Sequence, residues 1–315
     1  MKILVLGKDG QLGKAFQGFF RKNAIFQSHV VRFVGRSECD LSRADQINGL
    51  LNNFQPDLII NAAAYTAVDR AETEVNLAFA INADAPGLMA RYAISNGASL
   101  LHFSTDYVFD GKKQGSYTEV DQTNPLSVYG KSKEAGERAI IETFGASTSQ
   151  EGQYAILRTS WVYGDGGNFI RTMLRLAKER PELKVIADQY GVPTSADWLA
   201  EVGFHLVMNE DHPRQFASGI YHATPQGKTS WYQLACLAIQ SALLAGKTLS
   251  ISSAEIFPIP ASEYPLPAQR PMNSCLSSNK LKIELERLGI VSKLPHWNTP
   301  WNEQVSSYVK HISEE

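Results

Sequence analysis

The sequence predicts an α/β fold in which a doubly wound parallel sheet is joined to a smaller C-terminal region. Two observations support this fold class. Short apolar runs alternate with longer stretches of helical periodicity through the first half of the 315 residues, as in repeated βαβ units. The first apolar run ends in a turn with three glycines, and parallel sheets bind ligands at such turns, outside the carboxyl ends of their strands.

The elements of the first half follow from this alternation in chain order. Four apolar runs are predicted strands, at residues 3–6, 29–34, 57–61 and 99–103. A helix rich in phenylalanine is predicted after the first run, and Ser42 is predicted to cap a second helix. A third and longer helix is predicted over residues 71–95.

Beyond residue 162 the alternation weakens. Proline-rich loops such as residues 257–267 separate amphipathic segments, and the polar stretch 145–153 is predicted to be a surface loop. We therefore place the sheet domain at residues 1–162 and a smaller region at residues 163–315, with some segments of that region returning to the sheet domain.

The composition argues against several classes of protein. With 43% hydrophobic and 20% charged residues the chain can bury a large core, and its net charge of −2 gives no indication of nucleic-acid or anionic-membrane binding. No apolar run is long enough to span a bilayer, and the first apolar run is too short for a secretory signal. Cys39, Cys236 and Cys275 are widely spaced, so we expect free thiols in the cytoplasm and neither a disulfide nor a metal site.

Three glycines follow the first strand, at Gly7, Gly10 and Gly13, with Gln11 and Leu12 between the last two. This spacing allows a tight turn, lets the backbone approach a pyrophosphate and lets the next helix pack against the strand. The helix N-terminus adds N–H groups and positive potential for phosphate. The motif predicts a Rossmann-type NAD(P)-binding domain over residues 1–162. The alternative is a glycine-rich turn that binds no ligand.

Residues after the second and third strands bear on the cofactor. Arg36 lies where an NADP site places a cation for the 2′-phosphate, although it could also be an ordinary solvated arginine. NADPH is therefore favoured and NADH is the alternative, with Asp40 and Leu41 expected beside the adenine. Small residues and one aromatic residue follow the third strand, where they allow a cofactor to come close: Ala62, Ala63, Ala64 and Tyr65.

Tyr129 and Lys133 are the candidate catalytic pair. They are four residues apart at the start of a stretch of helical periodicity, so they point from one helix face. A phenol has a pKa of about 10 in water, and we expect the ammonium one turn away to lower that value. Thr105, after the fourth strand, adds a hydroxyl that can help polarise a carbonyl, although alone it would indicate a Ser/Thr-capped turn. Together the three residues provide the acid, ammonium and hydroxyl that hydride transfer to a carbonyl requires.

Longer motifs extend these patterns over most of the chain, at residues 7–13, 61–69, 104–111, 158–164, 188–194 and 270–274. With these motifs the sequence resembles the extended short-chain dehydrogenase/reductases, and within them the dTDP-4-dehydrorhamnose reductases, from Gly7 to about Leu281. Sugar-nucleotide epimerases of the same superfamily share the glycines and the Tyr/Lys pair, but typically not the whole series.

The resemblance implies NAD(P)H-dependent reduction of the C4 keto group of dTDP-4-dehydro-L-rhamnose, the last step of dTDP-L-rhamnose synthesis for cell-surface polysaccharide. It implies Tyr129 as the proton donor, Lys133 as its partner and a contact to the nicotinamide ribose, and Thr105 as the hydroxyl on the sugar. It also implies that Asp106 and Trp161 lie near the sugar. Asn168 and Arg270 are the implied candidates for contacts to the diphosphate and the nucleotide. From the residues alone, Trp161 could equally belong to the core and Arg270 to a loop.

One departure from the family pattern limits what is carried over. Ala15 stands where some members have a glutamate associated with a metal-bridged dimer, so neither magnesium nor that dimer is assumed, and a homodimer is left open. The expected partner is a small nucleotide sugar, with no nucleic acid and no membrane. Two alternatives stay open, a reductase of a related dTDP-4-keto-deoxysugar and a non-catalytic regulatory subunit. Retention of Tyr129, Lys133 and Thr105 argues against the subunit.

Overall fold

A central sheet and its connecting helices account for the first half of the chain. The computed structural model describes residues 1–147, 152–209 and 212–314. The elements of this half are, in order, β1 (Lys2–Leu6), α1 (Gln11–Lys22), α2 (Ile25–Ser28), β2 (Val30–Val34), α3 (Ala44–Phe54), β3 (Leu58–Asn61), α4 (Val68–Ala71), α5 (Val75–Phe79), α6 (Ala85–Asn96), β4 (Ser99–Thr105), α7 (Val128–Gly145) and β5 (Gln153–Thr159). All four predicted strands are present, with slightly different ends.

The second half has helices of 9 to 14 residues and short strands that are paired with one another or with the central sheet. Its elements are β6 (Val162–Tyr163), α8 (Phe169–Glu179), β7 (Leu183–Ile186), β8 (Tyr190–Gly191), β9 (Thr194–Ser195), α9 (Ala196–Val207), β10 (Gly219–His222), β11 (Thr229–Ser230), α10 (Trp231–Leu244), β12 (Ile256–Ile259), α11 (Asn279–Arg287) and α12 (Trp301–Glu314). Within the described part of the chain, no helix has both the length and the apolar character needed to cross a membrane.

Six strands form one parallel sheet in the order β2-β1-β3-β4-β5-β10. From β1 the chain winds to β2 on one side and to β3 on the other, so the order reverses between β1 and β3. Such a reversal opens a crevice at the carboxyl ends of the strands. The predicted α/β fold with a doubly wound parallel sheet is confirmed. β10 comes from the second half, so that part of the chain returns to the sheet, while the division at residue 162 stays a prediction.

Helices cover both faces of the sheet, as the buried pattern of its strands requires. Along β1, Ile3 and Val5 point to one face, where they pack in a cluster with Phe16 of α1 and residues of α9. Leu4 points to the opposite face and packs in a cluster with Met89 of α6. All these side chains are buried, so alternate residues of a single strand serve both halves of the core.

The long helix predicted over residues 71–95 is confirmed from Val75, since α5, a π-helical turn and α6 continue without a break to Asn96. It is wrong only at its start, where a turn at residues 72–74 separates α4 from α5. A π-helical turn at Ala80–Asp84 joins α5 to α6, whose first turn contains Pro86. Proline has no N–H to donate to the carbonyl four residues earlier, so a regular helix cannot continue through it unchanged. The π turn also allows close packing, since a Cβ on Gly136 of α7 would lie 2.0 Å from the Asn82 carbonyl oxygen.

Two smaller local predictions are also wrong. The N-cap of α3 is Arg43, and Ser42 instead donates its hydroxyl to Asp40 Oδ1 at 2.8 Å. Part of the predicted loop 257–267 belongs to β12, because Ile256 packs into a hydrophobic cluster with α8 and α10 and so draws the segment alongside β7. Within the predicted surface loop 145–153, residues 148–151 lie outside the described residues.

Candidate active site

The glycine turn between β1 and α1 has a geometry that side chains would block. Gly7 has φ +86°, and a Cβ there would lie 2.7 Å from the backbone nitrogen of Ala63. A Cβ on Gly13 would lie 2.0 Å from the carbonyl oxygen of Gly7, so the first turn of α1 packs directly on the turn. Gly10 is the N-cap of α1 and has no side chain to cap it. The arrangement leaves backbone N–H groups at the helix N-terminus, where an anion binds well.

A cleft of about 500 Å³ opens at the carboxyl edge of the sheet beside this turn. It brings together nearly all the predicted cofactor residues, which are Gly7, Gly10, Gln11, Leu12, Arg36, Asp40, Leu41, Ala62, Ala63, Ala64, Tyr65, Tyr129 and Lys133. Gly13 lies beneath the turn, against Gly7. The cleft therefore joins the glycine turn to the candidate catalytic pair.

The connection after β2 forms one end of the cleft. Arg36 is exposed and lines the cleft, while Leu41 is buried. Asp40 accepts hydrogen bonds from the backbone nitrogen and the hydroxyl of Ser42, and these lower the pKa of its carboxyl. Sequence reasoning missed Glu38, which accepts from Gly35 N at 2.8 Å and pairs with Lys8. The hydrogen bond from Lys8 lowers the Glu38 pKa, so this carboxylate after the second strand is already engaged by a cation.

The N-terminus of α7 presents Tyr129 and Lys133 to the cleft. Ser127 caps the helix and accepts from Gly130 N at 3.2 Å. A Cβ on Gly130 would lie 2.3 Å from the carbonyl oxygen of Tyr107, so the helix begins in close contact with the chain that follows β4. The Tyr129 ring meets the Tyr107 ring edge to face, with centroids 5.5 Å apart. The sequence spacing does bring the pair to one side of the helix.

Lys133 is almost completely buried, with 2% of its surface exposed. Its Nζ donates to the carbonyl oxygen of Phe103 at 2.6 Å and lies 3.3 Å from Nε2 of His102. Burial lowers the pKa of Lys133 to about 8, and the nearby Glu137 opposes that shift. His102 was not among the predicted site residues, although a histidine within the apolar run 100–103 was a visible signal.

The prediction that Lys133 lowers the Tyr129 pKa is wrong. Burial raises the pKa of Tyr129 to about 12, the nearby Thr105 side chain opposes this shift, and the charge of Asp106 adds to it. Removing the phenolate from water costs more free energy here than the interactions with its polar neighbours supply. Tyr129 is therefore a protonated phenol over the physiological pH range.

Thr105 and Asp106 stand where β4 ends. Thr105 Oγ1 donates to Asp106 Oδ1 at 3.0 Å and accepts from Tyr107 N at 3.2 Å, so it caps the short 3₁₀ turn Asp106–Val108. The capped-turn interpretation thus holds for Thr105. Asp106 is 2% exposed, and burial raises its pKa to about 6. Its Oδ2 has no hydrogen-bond partner among the described residues.

The predicted substrate residues do not line this cleft in the described part of the chain, namely Thr105, Asp106, Trp161, Asn168 and Arg270. Trp161 has φ +47° and stacks on Trp231, with ring centroids 3.6 Å apart. Asn168 caps α8, accepting from Arg171 N at 3.0 Å, and its Nδ2 donates to the carbonyl oxygen of Gly164 at 2.9 Å.

Arg270 forms a two-point ion pair with Asp69, at 2.9 Å from Nη1 and 2.7 Å from Nη2. The same Asp69 accepts from Ala268 N at 3.1 Å, and Arg270 Nη1 donates to the Ala268 carbonyl oxygen at 2.6 Å. Burial opposes the charged form of Arg270, but the hydrogen bonds with Asp69 and the nearby charges together outweigh it and raise the pKa of Arg270. Asp69 belonged to a recognised motif, but no site role was predicted for it.

Comparisons with known proteins agree with this architecture. The family described as RmlD substrate binding domain matches residues 1–312. A dTDP-4-dehydrorhamnose reductase of Burkholderia thailandensis is 42% identical over 301 residues, which cover 94% of this chain and 95% of that protein. The crystal structure of a dTDP-4-dehydrorhamnose reductase from Clostridium acetobutylicum has a TM-score of 0.83 at 33% identity, covering 99% of both chains. The Bacillus anthracis enzyme in complex with NADP has a TM-score of 0.81 at 30% identity, again covering 99% of both chains.

The doubly wound sheet, the glycine turn and the Tyr129/Lys133 pair beside it define an extended short-chain dehydrogenase/reductase. Within that class, the chain belongs to the dTDP-4-dehydrorhamnose reductase family. The resemblance seen in the sequence motifs is thereby confirmed, while the roles of individual site residues stay predictions.

Proposed function

We propose that this protein is an NADPH-dependent oxidoreductase that reduces the C4 keto group of dTDP-4-dehydro-L-rhamnose and so forms dTDP-L-rhamnose. One observation carries the proposal. Tyr129 and Lys133 line the same cleft as the glycine turn, which supports a proton donor beside a dinucleotide site. Membership of the family supports the substrate, and the NADP complex of the Bacillus anthracis relative supports the cofactor. The reaction would complete dTDP-rhamnose synthesis for cell-surface polysaccharide.

The glycine turn fits the pyrophosphate of a dinucleotide, because any Cβ at Gly7 or Gly13 would fill the space that the backbone needs. A bound nicotinamide cofactor in its reduced form supplies a hydride. The residues proposed to hold it are Gly7, Gly10, Gln11, Leu12 and Gly13 at the pyrophosphate, Arg36 at the 2′-phosphate, Asp40 and Leu41 at the adenine, Ala62, Ala63, Ala64 and Tyr65 along one wall, and Lys133 at the nicotinamide ribose. NADPH is the proposed preference, with NADH also accepted.

Tyr129 is proposed to give its phenolic proton to the C4 oxygen as the hydride reaches C4. The proton is available at neutral pH, since burial raises the Tyr129 pKa to about 12. Lys133 as an ammonium would stabilise the phenolate that forms. The Thr105 hydroxyl donates to Asp106 Oδ1 at 3.0 Å, and turning that proton to the C4 oxygen would let it hold the oxygen from a second direction.

The substrate side is proposed to hold the rest of the sugar nucleotide. Asp106 and Trp161 would contact the sugar, and the unpartnered Oδ2 of Asp106 is an acceptor suited to a sugar hydroxyl. Asn168 and Arg270 would reach the diphosphate and the nucleotide. Arg270 suits this role as a bidentate donor, and Asp69 holds its guanidinium in place.

The proposed partner is therefore a small nucleotide sugar, with no nucleic-acid or membrane partner, and the proposed location is the cytoplasm. No metal is part of the proposal. Among residues 1–147, 152–209 and 212–314, no cluster of three His, Cys, Asp or Glu side chains could hold a metal ion. A homodimer stays a prediction.

The test is to incubate the purified protein with NADPH and a panel of dTDP-4-keto-deoxysugars, and to identify the products by NMR. We expect dTDP-4-dehydro-L-rhamnose to have the highest kcat/KM. A free 4-keto sugar should lose kcat as well as affinity, because the nucleotide's binding energy positions C4. A higher kcat/KM for another dTDP sugar would favour the sister reductase, and no turnover with any sugar would favour the non-catalytic subunit.

A further inference from the structure

A buried histidine lies directly behind the catalytic lysine. His102, on β4, is fully buried, and its Nε2 lies 3.3 Å from Nζ of Lys133. Its other ring nitrogen, Nδ1, lies 3.0 Å from the amide nitrogen Nδ2 of Asn61 on β3, which is also buried. A buried imidazole is expensive unless both nitrogens have partners, so these two contacts explain how β4 accommodates it.

The donor count of Lys133 shows what the imidazole contributes. A lysine ammonium has three N–H donors and no acceptor. One donates to the carbonyl oxygen of Phe103 at 2.6 Å, and His102 Nε2, 3.3 Å away, can accept a second when the imidazole proton is on Nδ1. The third is then left for the cleft that Lys133 lines. Because two fixed acceptors determine the orientation of a tetrahedral ammonium, they also determine where its third N–H points.

We propose that His102 is a positioning residue for the reductase reaction, a neutral imidazole whose Nε2 lone pair accepts from the Lys133 ammonium and directs it at the cleft. This inference rests on the proposed function for its kinetic readout. The carbonyl of Phe103 is part of the backbone and cannot be removed by substitution. His102 is therefore the acceptor through which the orientation and charge of Lys133 can be tested.

The orientation of the Asn61 amide decides the tautomer of His102. In the structure Asn61 Nδ2 lies against Nδ1 of the ring, and Asn61 Oδ1 accepts from Ala63 N at 3.3 Å. If Nε2 accepts from Lys133, the ring proton is on Nδ1, so the proposal requires the amide to be turned over and Oδ1 to accept that proton. The turned amide exchanges the long bond from Ala63 N for a bond from His102 Nδ1 over the 3.0 Å separation.

Other charges around the pair are compensated. Glu137, one turn beyond Lys133 on α7, accepts from Arg158 on β5 at 2.9 and 2.6 Å and from Ser104 on β4 at 2.5 Å. Other titratable groups near this end of α7 include Asp106, the Tyr107 and Tyr129 phenols, and Glu72, which accepts from Val128 N at 2.8 Å. A substitution at His102 therefore changes an uncharged partner of Lys133 and leaves the nearby ion pair in place.

The kinetic test is the pH profile of kcat/KM. Activity needs the charged form of Lys133, whose pKa is lowered to about 8, so wild-type kcat/KM should fall as pH rises through that value. His102→Leu removes the acceptor, disfavours the ammonium and should move this fall to lower pH by about one unit. His102→Gln keeps an acceptor and should restore the profile to within about 0.3 unit.

His222 offers a matched control. It is a fully buried histidine on the neighbouring part of the same sheet, and its Nδ1 contacts the Tyr117 carbonyl oxygen at 3.1 Å, away from Lys133. His222→Leu should reduce stability without moving the alkaline fall in kcat/KM. An unmoved profile in His102→Leu, or an equal movement in His102→Gln or His222→Leu, would overturn the proposal.

A second measurement needs no activity. In nitrogen-15 spectra of the imidazoles, the His102 signals are identified by their loss in His102→Gln. We expect a neutral ring with the proton on Nδ1 between pH 5.5 and 7.5, and a shift of the Nε2 signal in Lys133→Met. Ordinary titration of His102 in that range, or a proton on Nε2, would contradict the proposal even if His102→Leu did not fold. If wild type reduced no sugar, the proposed function would fail while this measurement still decided the role of His102.

Discussion

The cofactor side and the substrate side of the site are built in different ways. On the cofactor side, each wall is a continuous stretch of chain that follows one strand, at residues 7–13, 35–41 and 62–67. On the substrate side, the groups that meet come from distant parts of the sequence. Asp69 pairs with Arg270 across 201 positions, and a Cβ on Gly111 would lie 2.6 Å from the backbone nitrogen of Met272.

Because of this difference, we expect substitutions on the two sides of the site to act in different ways. A continuous wall keeps its shape as long as its own turn is intact, so single changes there should act on the dinucleotide alone. On the substrate side, the segment that carries Arg270 is held by backbone hydrogen bonds to other loops, such as Ser274 N to Tyr190 O at 2.7 Å and Tyr117 N to Cys275 O at 2.8 Å. The effects of two substitutions at contacting residues there should therefore not be additive.

The largest effect is expected where the two sides meet, at Tyr129. Tyr129→Phe keeps the ring against Tyr107 but removes the proton donor, so kcat should fall at least about a hundredfold. The Kd for NADPH, measured by fluorescence titration, should stay close to that of wild type. Near-normal turnover would show that another group supplies the proton.

On the cofactor side, Gly13→Ala should weaken NADPH binding at least about tenfold, because a Cβ 2.0 Å from the Gly7 oxygen forces the turn open. Gly18→Ala is the matched control on the same helix, since a Cβ there meets nothing within 4 Å. It should leave the Kd unchanged and raise the free energy of unfolding by about 0.5–1 kcal/mol. Equal Kd values for both variants would mean that the packing of the turn does not shape the site.

The same contrast explains how much could be predicted from the sequence. The sheet and the lining of the cleft were predictable, because apolar periodicity and glycine spacing are local properties. The engagement of Arg270 by Asp69 and of Lys133 by His102 was not, since neither pairing leaves a trace in spacing. The Tyr129 pKa was predicted in the wrong direction because a four-residue spacing shows which charge is near but not how much water is excluded.

Arg36 tests whether the wall after β2 distinguishes the two cofactors. Arg36→Ala should weaken NADPH binding by about 1.5 kcal/mol, the lower end for a charge-assisted hydrogen bond because the side chain is exposed, and should barely affect NADH. Arg43→Ala is the control, an exposed arginine of the same connection that pairs with Asp45 at 3.1 Å. An equal loss for NADPH and NADH would show that Arg36 contacts no 2′-phosphate.

The smallest expected effect concerns the ion pair of Asp69 and Arg270 on the substrate side. Asp69→Asn and Arg270→Ala should each raise the KM for the sugar nucleotide about three- to tenfold, with no comparable change for NADPH, because Asp69 acts by holding the Arg270 guanidinium. The double variant should then be no worse than Arg270→Ala alone, with a coupling energy of about 1 kcal/mol. Arg70→Ala breaks a neighbouring exposed pair with Glu74 and serves as the control. If the effects of Asp69→Asn and Arg270→Ala simply added, Asp69 would act independently of Arg270, and the substrate side would be as local in construction as the cofactor side.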